Sequence, residues 1–588
     1  MTTPCLTKNL LMQKIIKRRS VEKLTAFDQS VHPLLQRIYS ARGIQHEQEL
    51  QYQLAQLHKP NFKGLQEAVS ILADAVVAGA KIIIVGDFDA DGATSSALAV
   101  LALRAMGLHN VDFLVPNRFE YGYGLTPEIV AVAAAQQPDV IITVDNGISS
   151  IEGVLAAREL GIAVIVTDHH LPGSELPEAD AIVNPNQPGC EFPSKNLAGV
   201  GVIFYVMNAL RAELRQMGWF AESGIVEPNM ASFLDLVALG TVADVVPLDH
   251  NNRILVSQGL QRIRAGVARP GIKALLDVAG KQAQKIVASD FGFALGPRLN
   301  AAGRLDDMSL GIQCLMCESE SLAREMAMQM DDLNKDRKAI ETGMQQEAMT
   351  MLQKVLSADE NSLPWGVCLF DETWHQGVIG ILASRIKDKY HRPTIVFAEV
   401  GDGQIKGSAR SIQGFHIRDA LDAIAARYPE LLQKFGGHAM AAGMSLTRDN
   451  FSAFAAAFDE EVRRQLTEES LSALVLSDGE LTTQDFNLTL AQQLRESGPW
   501  GQHFPEPIFD GEFFLIQQKI LAEKHLKMTL GVDAQGQQLV DAIAFNVDVK
   551  LWPNAQAKKV KVAYRLDVNE FRGNKTLQLM VDYIEAVA

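Results

Sequence analysis

Three short runs, residues 81–85 (KIIIV), 140–144 (VIITV) and 162–167 (IAVIVT), are apolar at nearly every position, and each passes within two residues into an acid. A strand with one wet face alternates polar and apolar residues, so runs of this kind belong to strands covered on both faces. A fourth run, 181–183 (AIV), follows, and helical stretches at 94–106 and 149–160 lie between them. This alternation predicts an α/β domain built on a parallel sheet. The carboxyl ends of the strands in such a sheet line one crevice, where ligands bind. The fold class thus gathers the acids that follow the strands: Asp87, Asp89 and Asp91 after the first, Asp145 after the second, and Asp168 with His169 and His170 after the third.

Crowded carboxylates repel one another unless a cation neutralises them. The loop 86–92 (GDFDADG) has the outline of a calcium EF-hand, but its twelfth position is Leu98 instead of Glu, and a strand precedes it where a helix should. A phosphatase-type D-x-D loop fits poorly, because Ala93 stands where a hydroxyl is needed. Taken alone, the loop is also compatible with a solvated acidic turn. Its convergence with further acids and two imidazoles favours metal, and such ligands suit Mn²⁺ or Mg²⁺ better than a thiolate-type zinc site. So many carboxylates suffice for two ions about 3.5–4 Å apart, the arrangement used in phosphoester hydrolysis. Asp244 is the single charge of the segment 240–247 (GTVADVVP), so it is either buried and paired or another ligand.

The 588 residues exceed one ordinary core. The pattern divides them into an N-terminal helical extension (1–60), a catalytic α/β domain (61–310), one long connecting helix (311–362), a smaller α/β domain (363–465) and a β-rich region (466–588). The long helix is expected because 312–342 contains no Gly or Pro. Short alternating strands at 513–516, 528–532, 560–566 and 577–581 predict a small barrel. No apolar run reaches the roughly 18 residues needed to cross a bilayer, so no membrane is expected as a partner. The first twenty residues lack the apolar core and cleavage site of a signal peptide. Five cysteines (Cys5, Cys190, Cys314, Cys317, Cys368) point to a reducing cytoplasm, and the Cys314/Cys317 pair reads as core of the long helix.

A net charge of −16 argues at first sight against a nucleic-acid partner. Residues 1–60 hold nine basic and four acidic side chains, and 515–588 hold ten and eight, so the excess acid sits in the middle, where the cation site is expected.

The motifs GDFDADG, DNGIS, TDHH and TVADVVPL, in this order and spacing, resemble the DHH phosphoesterase superfamily. Four later segments, 296–304 (GPRLNAAGR), 374–380 (WHQGVIG), 407–411 (GSARS) and 436–443 (GGHAMAAG), narrow the resemblance to its bacterial single-strand-specific 5′→3′ DNA exonucleases. The resemblance implies a DHH catalytic domain, a long connecting helix, a smaller DHHA1 domain and a C-terminal OB-fold. It implies Asp89, Asp91, Asp145, His169 and Asp244 as metal ligands. Asp87, Asp168 and His170 would be catalytic groups beside them, as further ligands or as groups that orient water and phosphate. Many relatives carry His four residues before the first ligand; this chain has Val85 there.

Arg298 and Arg304, with Asn300, read as a Gly/Pro-bounded loop suited to bidentate phosphate contact. His375, Arg410 and His438 read as short Gly-flanked turns, with Gly436 and Gly437 offering backbone N–H groups to an anion. Lys558, Lys559, Lys561, Arg565, Arg572 and Lys575 make the barrel tail locally basic. The expected function is a Mn²⁺- or Mg²⁺-dependent exonuclease that degrades single-stranded DNA 5′→3′ to 5′-mononucleotides. The resemblance adds recombination and mismatch repair, a single-strand-binding protein and a repair helicase as partners, and a monomeric state. The competing readings are a DHH hydrolase of short oligonucleotides or cyclic dinucleotides, and a non-catalytic single-strand-binding module.

Overall fold

The computed structural model describes residues 14–587 apart from 22–24, 26, 29–30, 117–123, 359–362, 534–537 and 572. Cys5 and Arg572 lie outside the described residues. The first sheet has five strands, in the order Val111–Leu114, Ile82–Gly86, Val140–Val144, Ala163–Thr167, Ala181–Val183, all parallel. Ile82–Gly86 and Val140–Val144 are buried at every residue, as their unbroken apolar pattern requires. The chain leaves Ile82–Gly86, the second strand in that order, first to one side and then to the other. The order therefore reverses there, and the carboxyl ends of Ile82–Gly86 and Val140–Val144 frame the crevice where such sheets bind ligands. Helix Ala90–Ala105, almost wholly buried, packs behind the crevice against helices Gly199–Gln216 and Leu234–Ala243. Its first half is small residues (ADGATSSA), which is what lets neighbouring backbones approach it.

The second α/β unit holds a mixed sheet in the order Lys434–Gly437, Ala441–Thr447, Gln404–Arg410, Thr394–Gly401, Val367–Asp371. Only its last pair is parallel. The C-terminal region closes a five-stranded barrel from Phe509–Leu521, His525–Gly531, Leu539–Ala544, Asn574–Val587 and Lys559–Phe571. Leu539–Ala544 was not among the strands expected from sequence. Its six residues are short, and its alternation is weakened by Ala at two positions.

Three other expectations are corrected. The N-terminal extension is not simply helical: Ile15–Arg18 is a strand paired in parallel with Leu474–Ser477, followed by helix Pro33–Ala41 and two short 3₁₀ turns. Four β-branched or long side chains in a row (IIKR) gain a ladder partner only from a segment more than 450 residues away, which no local pattern reveals. The single long helix is two: Ser309–Met316 ends at Cys317, and Glu320–Ala358 begins after Ser319. The Ser319 hydroxyl accepts from Leu322 N, capping the new helix inside a stretch free of Gly and Pro. Cys314 and Cys317 therefore lie on the short helix and at its end. The expected Arg298/Arg304 loop is helix Gly296–Leu305, with Pro297 at the start where its missing N–H is harmless.

Helix Glu320–Ala358 joins the two α/β units by belonging to both cores. Ala323, Ala327 and Met330 pack into the first, and Met344, Ala348 and Leu352 into the second. The barrel is fastened from the other end of the chain. Arg42 makes a bidentate pair with Asp478 at 2.8 and 3.0 Å, both side chains buried. Tyr39 stacks on Trp500 and Phe504. No helix among the described residues is long and apolar enough to cross a membrane.

Candidate active site

The acids after the strands do meet. Asp87, Asp89 and Asp145 form one group whose ligand atoms lie within 4.8 Å of one another; Asp91, His169 and Asp244 form a second; Asp145, His169 and His170 form a third. Asp145 and His169 each belong to two of them. His169 Nε2 stands 3.0 Å from Asp145 Oδ1, 3.4 Å from Asp244 Oδ2 and 4.0 Å from Asp91 Oδ2.

Local structure explains how the carboxylates are aimed. Asp89 caps helix Ala90–Ala105, its Oδ1 accepting from Asp91 N and Gly92 N. Asp91, in the first turn of that helix, accepts from Gly199 N at 2.6 Å and Val200 N at 3.0 Å, the start of helix Gly199–Gln216. Asp145 sits in the left-handed region (φ 60°), which turns its side chain back over the sheet. The next residue, Asn146, ties the two framing strands together by donating to Val85 O and Val144 O. Gly199 is required to be glycine: a Cβ there would lie 2.7 Å from Asp145 Cβ. Sequence reading missed Asn146 and the Gly199–Val200 amides, because their partners are known only once the sheet is assembled.

Asp168 differs from the other acids. Its Oδ1 accepts from the His169 and His170 amides and lies 2.8 Å from His170 Nδ1, while Oδ2 accepts from Ile148 N. With both oxygens so engaged, it orients His170 instead of facing the cleft.

The electrostatics are those of a cation site. Burial, and then the neighbouring Asp91, Asp89, Asp244 and Asp87, push Asp145 far above the usual carboxylate range. Burial, and then Asp91, Asp89, Asp87 and Asp168, do so for Asp244. Burial, aided by Asp89, raises Asp91 to about 7. Burial, with His170 beside it, lowers His169 to about 4. Burial opposes a charge on His170 more strongly than any single neighbour favours it, but the Asp168 hydrogen bond and the charges of Asp168, Asp87 and Asp89 together outweigh it and lift the ring to about 9. His169 is therefore neutral, as a ligand must be, and its buried Nε2 has no hydrogen-bond partner among the described residues. An imidazole nitrogen facing three acids without a hydrogen bond, with hard oxygen donors around it, fits Mn²⁺ or Mg²⁺.

A pH dependence follows. A proton on Asp91 competes with the metal, so Mn²⁺ affinity rises as pH climbs toward about 7 and the carboxylate ionises. Binding at pH 6 releases protons, which titration calorimetry in buffers of different ionisation enthalpy measures. A Mn²⁺ affinity that is flat from pH 5 to 8 contradicts the assignment.

The second unit closes over this centre. His438 lies in the turn between Lys434–Gly437 and Ala441–Thr447, and its ring stacks 6.3 Å from that of His170. Gly436 and Gly437 belong to the strand and not to the turn, a correction to the expected loop. Arg410 likewise ends strand Gln404–Arg410 instead of occupying a turn. Beside Asp89 is a cavity of about 290 Å³ between the units, lined by Asn300 and Arg304 on one side and Lys406, Ser408 and Arg410 on the other. Arg410 is largely withdrawn from solvent, which lowers its pKa. It donates to Ser408 Oγ and Ala409 O and pairs with no carboxylate among the described residues. Lys406 and Ser408 escaped the sequence reading, although alternation along a strand puts 406, 408 and 410 on one face.

The remaining candidates are more committed. Arg298 binds Asp331 and the Ala294 carbonyl, so its guanidinium braces the long helix. Asn300 Oδ1 accepts from Ala90 N, supporting the acidic loop. Arg304 donates to Gly377 O across the domain boundary, where a Cβ on Gly377 would stand 2.4 Å from the Arg304 carbonyl. His375 Nδ1 accepts from Gly377 N.

Comparison with known proteins agrees with this layout. Residues 81–241 match the DHH family N-terminal domain, 363–464 the DHHA1 domain and 477–583 the RecJ OB domain. The single-stranded-DNA-specific exonuclease RecJ of Escherichia coli (strain K12) is 56% identical over 570 residues, covering 97% of this chain and 98% of that protein. The chain belongs to the RecJ family. RecJ of Bacillus subtilis (strain 168) is 34% identical, over 96% of this chain and 70% of that protein. Among solved structures, RecJ from Thermus thermophilus in complex with Mn²⁺ superposes with a TM-score of 0.76 at 29% identity, covering 95% of this chain and 76% of that one. A Mg²⁺ complex of RecJ from the same source gives 0.71 at 27% identity, covering 95% and 75%.

Proposed function

We infer that this chain is a Mn²⁺- or Mg²⁺-dependent exonuclease acting on single-stranded DNA, in recombination and repair, and that it works 5′→3′ and releases 5′-mononucleotides. The observation that carries the reading is the convergence of the acids and His169 beside a cavity whose Arg410, largely withdrawn from solvent, pairs with no carboxylate among the described residues. Asp89, Asp91, Asp145, His169 and Asp244 would hold two ions, with Asp87 alongside. When bound, such ions polarise the scissile phosphate and supply a water of lowered pKa.

The chain's own groups would do the rest. Asp168 fixes the His170 ring through Nδ1, and the ring so oriented would hold a proton or a phosphate oxygen beside the reacting group. Arg410, Ser408 and Lys406, with Arg304 opposite, would seat the 5′-terminal phosphate and so set the polarity. His438 would close the cleft above His170. Arg298, Asn300, His375, Gly436 and Gly437 would support these groups more than touch DNA. To the same reading belong, as proposals, a single-strand-binding protein and a repair helicase as partners, a monomeric state and a cytoplasmic setting.

The test is digestion of single strands labelled at the 5′ or the 3′ end, with Mg²⁺, Mn²⁺ or chelator. Prompt release of labelled mononucleotide from the 5′ end, only with metal, is the expected result. First release from the 3′ end refutes the polarity. Faster turnover of dinucleotides than of long strands favours the small-substrate hydrolase, and binding without cleavage favours the non-catalytic module.

A further inference from the structure

The group of Asp91, His169 and Asp244 is assembled across a seam between two chain segments. One segment, 194–200, aims the first two residues. The Leu197 carbonyl accepts a hydrogen bond from the His169 ring, and the Gly199 and Val200 amides hold Asp91. The other segment, 244–248, carries Asp244 itself. Its backbone is strained, because Val245 is a β-branched residue at φ 63°. The Val245 side chain is 62% exposed, so the strain is not repaid by its own packing. Support has to come from elsewhere.

It comes from the start of helix His250–Arg264. Asn252, fully buried, donates through its amide nitrogen to Asn196 O at 2.6 Å and to Pro247 O at 2.9 Å. Asn196 belongs to one segment and Pro247 to the other. Both partners are acceptors, which decides how the amide is turned. Its nitrogen spans the seam, and its buried oxygen has no hydrogen-bond partner among the described residues. A buried acceptor without a donor is costly, so stability alone is a poor reason for asparagine at this position.

The neighbours of Asn252 reinforce the same tie. Asp249, which caps the helix, accepts from Asn252 N through Oδ1, and from Ser194 Oγ and Asn196 Nδ2 through Oδ2. Arg253 donates to Leu248 O. One helix start thus grips both segments. The group of Asp87, Asp89 and Asp145 is built differently. It sits on the loops after Ile82–Gly86 and Val140–Val144, which the sheet and Asn146 hold together.

We propose that Asn252 is a positioning residue of the metal centre. By pinning segment 194–200 to segment 244–248 it fixes the spacing of Asp91 and His169 from Asp244, and with it the affinity for one of the two ions. The inference rests on the two-ion reading above.

The test is Mn²⁺ binding, followed by titration calorimetry and by the EPR signal of the bound ions. The unaltered chain takes up two ions close enough for their spins to couple. Asn252→Ala lowers the affinity for one ion about ten- to a hundred-fold, the scale for a residue that orients ligands, and leaves the other within about two-fold. At Mn²⁺ concentrations that fill only the tighter site, the coupled signal gives way to that of an isolated ion. Asn251→Ala is the matched control. That side chain is also buried, but it accepts from His58 N and the Tyr205 hydroxyl, which lie in neither segment. Its loss lowers the melting temperature and keeps both ions. Ser194→Ala, a smaller cut in the same seam, weakens the same ion by less. The proposal is overturned if a folded Asn252→Ala keeps both affinities or loses both alike, or if Asn251→Ala matches its loss. If Asn252→Ala does not fold, unchanged binding in Ser194→Ala overturns it. An unaltered chain that binds no Mn²⁺ refutes the metal centre as well.

Discussion

Asp145→Asn lowers hydrolysis of single-stranded DNA by at least about a thousand-fold in saturating Mn²⁺, and does so without loosening the fold. The size follows from position. Asp145 belongs to two of the three groups able to hold an ion, so its loss degrades both sites at once. Changing a residue that only orients a ligand costs about ten- to a hundred-fold, and Asp168→Asn falls in that lower range. Asparagine is the informative substitution because it tolerates the left-handed backbone that Asp145 adopts at φ 60°, whereas alanine adds strain of its own. Stability moves the other way from activity. The carboxylate is buried among four others that raise its pKa, so without metal it is a repulsive group, and replacing it with a neutral amide relieves that repulsion. In chelator the variant melts no lower than the unaltered chain. Added Mn²⁺ raises the melting temperature of the unaltered chain much more than that of the variant. Activity within ten-fold of the unaltered enzyme would sink the assignment.

Much of this centre was legible in the sequence because its logic is one-dimensional. Apolar strands buried on both faces and separated by helices point to a parallel sheet, and a parallel sheet brings strand ends together, where Asp89, Asp145 and His169 meet. What the sequence did not reveal depends on contacts between distant segments. Asp91 owes its aim to the amides of Gly199 and Val200, more than a hundred residues on, and Ile15–Arg18 becomes a strand only because Leu474–Ser477 lies beside it. Arg298 and Arg304 were misplaced for a different reason. Gly and Pro at 296–297 signal a turn as readily as a helix start, and only the packing of Leu299 and Ala302 in the core decides between them. The recovered helix changes the chemistry, since Arg298 is spent on Asp331 while Arg304 remains at the cavity. Arg410 lies at the cavity, but on a different element from the one expected. A strand, and not a turn, delivers it, and the alternation of that strand carries Lys406 and Ser408 to the same face.

Arg410→Gln is expected to reduce kcat/KM on 5′-phosphorylated single strands far more than on strands with a 5′-hydroxyl. A buried charge in a folded protein is normally paired. Arg410 is held by one hydroxyl and one backbone carbonyl, and no described carboxylate answers it. Lys406 on the same strand face and Arg304 across the cavity add to the positive field. The fold thus sustains a desolvated cation whose natural partner is an anion from outside, and Asp89 beside the cavity ties that anion to the metal centre. Truncating one member of a buried charge pair costs about 2–5 kcal/mol, or roughly 30-fold to several thousand-fold in kcat/KM. Strands that lack the terminal phosphate never make the contact, so the substitution narrows the preference between the two ends toward unity. The metal-free variant unfolds no earlier than the unaltered chain, because what it loses is an uncompensated charge. Inorganic phosphate provides a readout independent of turnover: it raises the melting temperature of the unaltered chain and leaves that of Arg410→Gln unmoved. If the two strands lose activity equally, Arg410 braces the interface between the units and the terminal phosphate is held elsewhere.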